Sequence, residues 1–273
     1  MNFPLIVILA IVFGIVLEAV LLYFFINMLK DTGCVRKNYK GKDIPVSLGI
    51  TFPIIFVLAF FIYALLNWYN DLYHLFIFAV MSICFLGFID DMLGQRDTLG
   101  FKGHFGSLFR GKLTTGGLKA LGGGMIALFT AWFISPTFID LIINTIIIAL
   151  FTNLLNLFDL RPGRAVKAFI FFFIIIALTT AGNIEWLIIA PLIGAVLMYF
   201  NTDLKAHAMM GDSGSNVLGF SLGFIVATGA ILQVKIIFLV FLIAIHIYTE
   251  KYSLTKTIEK YSILRSIDNM GRG

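Results

Sequence analysis

Charged residues are scarce in this chain. Asp, Glu, Lys and Arg together make up 13% of its 273 residues, where about a quarter is usual for a soluble globular domain. That shortage excludes an ordinary water-soluble enzyme. Cysteine is nearly absent: Cys34 and Cys84 fall in a loop and inside an apolar run, too few and too badly placed for a disulfide framework or a metal cluster. Polar alternation is missing from the long Phe, Ile and Leu runs, which argues against a β-barrel. A small-residue cleavage pattern is missing after the first run, so that run reads as a retained anchor and not as a signal peptide.

Apolar residues are what the chain has instead, 60% of the total with a mean hydropathy of +0.98. A span needs roughly 20 apolar residues to cross about 30 Å of hydrocarbon. Nine runs qualify as candidates, near Phe3–Leu29, Leu48–Trp68, Tyr73–Ile89, Gly116–Ile134, Phe138–Leu157, Val166–Ala181, Trp186–Phe200, Ser215–Leu232 and Ile236–Tyr248. The backbone must satisfy its own hydrogen bonds in lipid, so the expected fold is an all-α polytopic bundle of about nine transmembrane helices. Nine spans put the termini on opposite sides. Every Lys and Arg except Lys235 then falls on one side, and the positive-inside rule makes that side cytoplasmic, with the N-terminus outside and the C-terminus inside. Glu18 is the odd acid, lying within the first span. An intramembrane carboxylate is functional by default, but here it can face a helix neighbour and is read as structural.

Four segments on the basic side hold the unusual polar residues: Lys40-Gly41-Lys42-Asp43-Ile44-Pro45, Gly87-Phe88-Ile89-Asp90-Asp91, Asn153-Leu154-Leu155-Asn156-Leu157-Phe158-Asp159 and Met210-Gly211-Asp212-Ser213-Gly214-Ser215. Asn153, Asn156 and Asp159 recur every three residues, a polar stripe on one helix face. Adjacent Asp90 and Asp91 repel unless a proton or a divalent cation relieves them. Carboxylates from several helix ends suit Mg²⁺ or Mn²⁺, and Mg²⁺ commonly bridges protein carboxylates to substrate phosphates. Gly211 and Gly214 flank Asp212 at a helix start, whose free N–H groups and positive dipole end suit an anion. The plain structural readings are a solvated Asp pair and a Gly-rich turn with an N-cap. An ion-coupled transporter would also use such a face, but no internal symmetry of broken spans supports it.

These residues, in this order and sidedness, resemble the polyprenyl-phosphate N-acetylhexosamine-1-phosphate transferases, the MraY/WecA-like family. The resemblance rests on Asp90-Asp91, on Asn153, Asn156 and Asp159, on Met210 to Ser215, and on the Lys40–Gly49 segment with Pro45. It implies transfer of a phosphosugar from a UDP-sugar to a polyprenyl phosphate such as undecaprenyl phosphate, with release of UMP, at the cytoplasmic face of a bacterial plasma membrane. It implies Mg²⁺ (or Mn²⁺) held by Asp212, Asp91 and Asp159, and Asp90, Asp91 and Asp159 as the catalytic carboxylates. Lys40, Lys42, Asn153, Asn156 and Asn201 would bind substrate, and His207, near Asp212 in the sequence, is a further substrate-binding candidate by position. Membrane lipids are further partners, a homodimer is left open, and no nucleic acid is expected.

Three departures mark a shortened, divergent member. Asp159 is followed by Leu160-Arg161-Pro162-Gly163-Arg164, so the family's second carboxylate is replaced by Pro162; Arg161 and Arg164 could grip phosphate in its stead. The family's His-rich loop is absent, and His246 in that region reads as a packed histidine. The last span is missing. After a transmembrane domain at 1–248, residues 249–273 place Leu254, Ile258, Tyr261, Leu264 and Ile267 at helical spacing, read as one amphipathic helix on the inner leaflet. The alternative reading is a catalytically silent relative that binds polyprenyl phosphate.

Overall fold

The computed structural model describes residues 2–94 and 113–272. Arg96, Lys102, Arg110, Lys112 and His104, expected in the loop after the Asp pair, lie outside the described residues. The described chain is helical except for one short hairpin. Its elements in order are α1 (Phe3–Asp31), β1 (Val35–Lys37), β2 (Asp43–Pro45), a 3-10 turn (Leu48–Ile50), α2 (Thr51–Leu65), α3 (Asp71–Leu93), α4 (Thr115–Ile134), α5 (Phe138–Phe158), α6 (Arg164–Thr179), α7 (Trp186–Leu204), α8 (Gly211–Gly229), α9 (Leu232–Lys251), α10 (Leu254–Lys260) and α11 (Ser262–Asn269).

Each expected run becomes a helix, and several helices outrun the apolar stretch that announced them. Among the described residues, seven helices are long and apolar enough to cross a membrane. The two others are α6, with 16 residues, and α8, which opens on Gly-Asp-Ser-Gly-Ser-Asn. The physical reason is position. α8 is buried from Ser213 to Ala227, so protein rather than lipid surrounds it, and polar and glycine residues are tolerated where neighbours can satisfy or approach them. α3 and α5 flank it most closely, with α6 alongside. A Cβ on Gly219 would lie 2.3 Å from the Phe151 carbonyl oxygen, so only glycine lets α8 sit that close to α5. Phe76 of α3 meets Phe224 of α8 edge-to-face with centroids 4.9 Å apart, a favoured aromatic geometry.

On the periphery, α1 packs along α7 and α9 along α5. Their outer faces carry exposed Ile8, Val16 and Phe24, or Ile237 and Val240, as lipid-facing surfaces do. Glu18 is fully buried and accepts a hydrogen bond from Thr51 Oγ1 at 2.9 Å, the helix-neighbour contact expected of it. His246 is buried, with Nδ1 2.7 Å from the Leu242 carbonyl.

Residues 249–272 differ from the single amphipathic helix expected of them. The chain forms two short helices, broken at Tyr261 in an extended conformation (φ −94°, ψ 120°). Its buried positions are Ile258 and Asp268. On α11, Asp268 is drawn inward onto Arg164.

Candidate active site

The hairpin, the end of α3 and the start of α8 meet at one end of the bundle. Met209 N donates to the Pro45 carbonyl at 2.8 Å, and Leu48 N and Gly49 N donate to the Met209 and Met210 carbonyls, each at 3.0 Å. The β1–β2 hairpin is thereby stitched to the turn that opens α8. This is what places the Lys40–Gly49 segment beside the Asp212 segment.

Consecutive residues on a helix point about 100° apart, and the Asp pair is split accordingly. Asp91 is 6% exposed. Its Oδ1 accepts from Asp212 N at 2.9 Å, and its Oδ2 accepts from Ser213 N at 3.2 Å and from the Ser47 hydroxyl. Arg36 holds the Asp91 carbonyl. Asp91 therefore caps α8 from another helix, satisfying N–H groups that a helix start leaves open. Gly211 has φ +73°, and a Cβ there would lie 2.3 Å from Asp91 Oδ2; glycine is required both for the turn and for the carboxylate's approach. One expectation changes with this contact: the Asp212 and Ser213 N–H groups at the α8 start are not open to a phosphate, because Asp91 already takes them. Among the described residues, no three His, Cys, Asp or Glu are grouped to hold a metal ion.

Asp90 turns the other way, toward Asp212. Lys119, from the Gly-rich first turns of α4, bridges the two: Nζ is 3.1 Å from Asp90 Oδ2 and also donates to Asp212 Oδ2. The Asn156 amide, oriented by its neighbours, donates to Asp212 Oδ1 at 2.7 Å and accepts from Lys119 Nζ at 2.9 Å. The side chains of Lys119, Asp90 and Asp212 keep 21%, 19% and 23% of their surface, so the group stays open to solutes. It forms a polar crater at the end of an apolar bundle.

Asp159 follows the last turn of α5, one step beyond Asn156 on the stripe. Burial pushes its carboxyl well above the usual carboxylate range, and the charges of Asp203, Asp212 and Asp91 push it further; the Gly211 N–H offsets part of this. Asn153 is half-buried one turn earlier.

The other expected residues divide. Lys42 and His207 line a cavity of about 210 Å³ with Lys30, Asp43, Ile26 and Ile44. Lys40 sits at the hairpin tip, its ammonium 5.4 Å from the centroid of Tyr39. Asn201 is exposed near the end of α7. Arg161 is partly exposed, with Glu259 at 3.7 Å. Arg164, expected to grip phosphate, is 4% exposed and committed to Asp268 and Thr255.

Lys119 was the residue that sequence reasoning undervalued, counted only among the basic residues that set orientation. Its signal was present: a lone cation inside a membrane span is a functional candidate by default. Asp203 and Ser47 gave no signal, because their partners Gly163 and Asp91 are 40 and 44 positions away.

A family model described as Glycosyl transferase family 4 matches residues 73–230, from the start of α3 to the end of α8, the stretch that holds Asp90, Lys119, Asn156, Asp159 and Asp212. The chain belongs to that family. It is the family of MraY/WecA-like polyprenyl-phosphate hexosamine-1-phosphate transferases, whose reaction is phosphosugar transfer from a nucleotide-sugar to a polyprenyl phosphate in a membrane. No curated protein matches the chain.

Proposed function

We propose that this family 4 chain transfers a phospho-N-acetylhexosamine from a UDP-sugar to undecaprenyl phosphate or a similar polyprenyl phosphate, releasing UMP, for cell-wall or surface-polysaccharide synthesis. The observation that carries the reading is the ammonium of Lys119 seated between Asp90 and Asp212 and the Asn156 amide. Two carboxylates and an amide oxygen converge there on a cation position. That donor set fits Mg²⁺, which commonly takes one or two protein carboxylates and completes its shell with substrate phosphates and water. Asp90, Asp212 and Asn156 would hold it, and bound there it neutralises charge on a diphosphate.

The reaction balances simply. A phosphate oxygen of the polyprenyl phosphate attacks the phosphorus that carries the sugar, the bond from that phosphorus to the UMP oxygen breaks, and UMP leaves. Little covalent work falls to the protein, so positioning and charge dominate. Asp90 faces the crater and would orient the attacking phosphate. Asp91 fixes the α8 start and thereby the Asp212 carboxylate. Lys119 can follow the charge from Asp212 to an incoming phosphate. Arg161 and Lys42 would supply further cationic contacts for phosphate, with His207 a hydrogen-bonding partner in the cavity that Lys42 lines. The crater would face the cytoplasm, because the basic residues lie at that end.

The test is UMP release by the purified protein in detergent, with undecaprenyl phosphate, Mg²⁺ and a panel of UDP-sugars. Release that requires both lipid and metal is the expected outcome. No release with any sugar donor from folded protein would favour the second reading, a silent lipid-binding relative. One observation favours that reading: Lys119 already neutralises the carboxylates that a metal would need.

A further inference from the structure

The α10–α11 segment grips the turn that carries Asp159. Asp268 accepts from two guanidinium groups at once: Arg164 Nε and Nη2 at 2.8 and 2.9 Å, and Arg272 Nη2 and Nη1 at 3.0 and 3.1 Å. Arg272 also donates through Nε and Nη2 to the Pro162 carbonyl, at 3.2 and 3.0 Å. Lys167 closes the end of α11 by donating to the carbonyls of Ile267, Asp268 and Met270 at 2.8, 2.9 and 2.8 Å. From α7, Asp203 Oδ2 accepts from Gly163 N at 2.9 Å. Gly163 takes φ +74°, and a Cβ there would strike Leu204 at 2.4 Å. The turn from Leu160 to Gly163 is thus held at Gly163 by a carboxylate and at Pro162 by a guanidinium. It has Asp159 at one end and the Arg164 anchor of the clamp at the other.

We propose that residues 262–272 are a clamp, and that Asp268 and Arg272 are positioning residues which hold the Asp159–Arg164 turn in register with the crater. The local sequence leaves the turn few hydrogen bonds of its own: Pro162 has no N–H to donate, Gly163 is conformationally free, and Arg164 N donates to the Arg161 carbonyl at 3.2 Å. Bidentate pairs between guanidinium and carboxylate define orientation as well as distance. What the clamp sets is the placement of Asp159 and Arg161 for the sugar donor; in this it rests on the transferase reading above.

The test has two independent arms. In the first, amide hydrogen exchange is followed at residues 160–164 in the intact protein. Arg272→Gln, which leaves the Arg164–Asp268 pair in place, is expected to speed exchange there about tenfold with the melting temperature unchanged, and Asp268→Asn more so. In the second, the KM for the UDP-sugar is expected to rise about tenfold in Arg272→Gln, while kcat and the KM for polyprenyl phosphate stay within about twofold, and Arg272→Lys recovers part of the loss. Unchanged exchange in both variants overturns the clamp whatever the enzyme does. An unchanged KM for the UDP-sugar overturns the positioning role. A gain in activity in Asp268→Asn would overturn it too, because Asp268 would then be occupying an anion site that substrate needs. A wild-type protein without transferase activity would remove the function proposed above and leave the exchange arm to decide the clamp.

Discussion

Two ionic clusters sit a few residues apart along the chain, joined by the Asp159–Arg164 turn, and they are built to opposite specifications. The crater has four carboxylates, Asp90, Asp91, Asp159 and Asp212, against Lys119 and the backbone-bound Arg36. Its exposed members keep about a fifth of their surface. The clamp has Arg164 and Arg272 around Asp268, with side-chain exposures of 4%, 12% and 8%. In the clamp both Asp268 oxygens are taken by guanidinium donors and little surface is left to water, so the carboxylate can do little beyond fixing geometry. In the crater acid is in excess and solvent can enter, so the cluster can accept a cation and phosphates. Local saturation, rather than the number of charges, separates a structural ionic cluster from a chemical one.

The comparison breaks most decisively at Asp212. Asp212→Asn keeps the shape and removes the charge that faces Lys119. UMP release should fall about a thousandfold with the melting temperature within a few degrees of wild type, and activity near the native rate would end its assigned role. Chelation of divalent ions should silence the wild-type enzyme equally. Lys119→Met comes next: about a hundredfold loss of kcat is expected, since the cation that can pass between carboxylate and phosphate is gone. An unimpaired variant would show that Lys119 is only a counter-ion.

On the clamp side the expected loss is of stability. Arg164→Leu leaves Asp268 with Arg272 as its remaining guanidinium partner, so the loss should fall short of the ~3–5 kcal/mol of a fully broken buried pair; chemical denaturation should show it directly. The pH response sharpens the contrast. Burial alone would raise the Asp268 carboxyl, but the hydrogen bonds and charges of Arg164 and Arg272 outweigh it and bring the carboxyl down to about 2. The unfolded value is about 3.9, so its contribution is complete above that value and is lost as pH falls through 2. Exchange protection at residues 262–272 should survive to about pH 4 and fade below it.

Asp159 has the reverse sign and the smallest effect. Its folded-state carboxyl titrates above the usual range, so the fold loses stability as pH rises through that region. Asp159→Asn should raise the melting temperature more at pH 8 than at pH 5 while lowering activity. Equal shifts at both values would mean that burial and the neighbouring carboxylates do not raise it.

The all-helical bundle was legible because apolar runs of membrane length leave no alternative to helices. So were three of the segments that meet there: the Asp pair, the Asn153–Asn156–Asp159 stripe and the Gly-Asp-Ser-Gly turn are short-range patterns, each carried by a few adjacent residues, whereas Lys119 and Ser47 enter from elsewhere. Their division of labour was not legible. Asp90 and Asp91 are identical neighbours, and only the arrival of α8 makes one a cap and leaves the other facing the crater. Arg164 looked like a phosphate ligand because nothing near it in sequence could take its charge. Its partner Asp268 lies 104 positions on.

The sequence by itself determined what each local segment could become: helix or turn, lipid-facing or polar, acid-rich or basic. Hydrophobic length, helical period and charge composition are local properties. Only the tertiary structure decided which polar groups are already satisfied, because hydrogen-bond saturation depends on which distant backbone or side chain arrives. That arrival made a helix cap of one aspartate, a bridging cation of Lys119 and a clamp of residues 262–272.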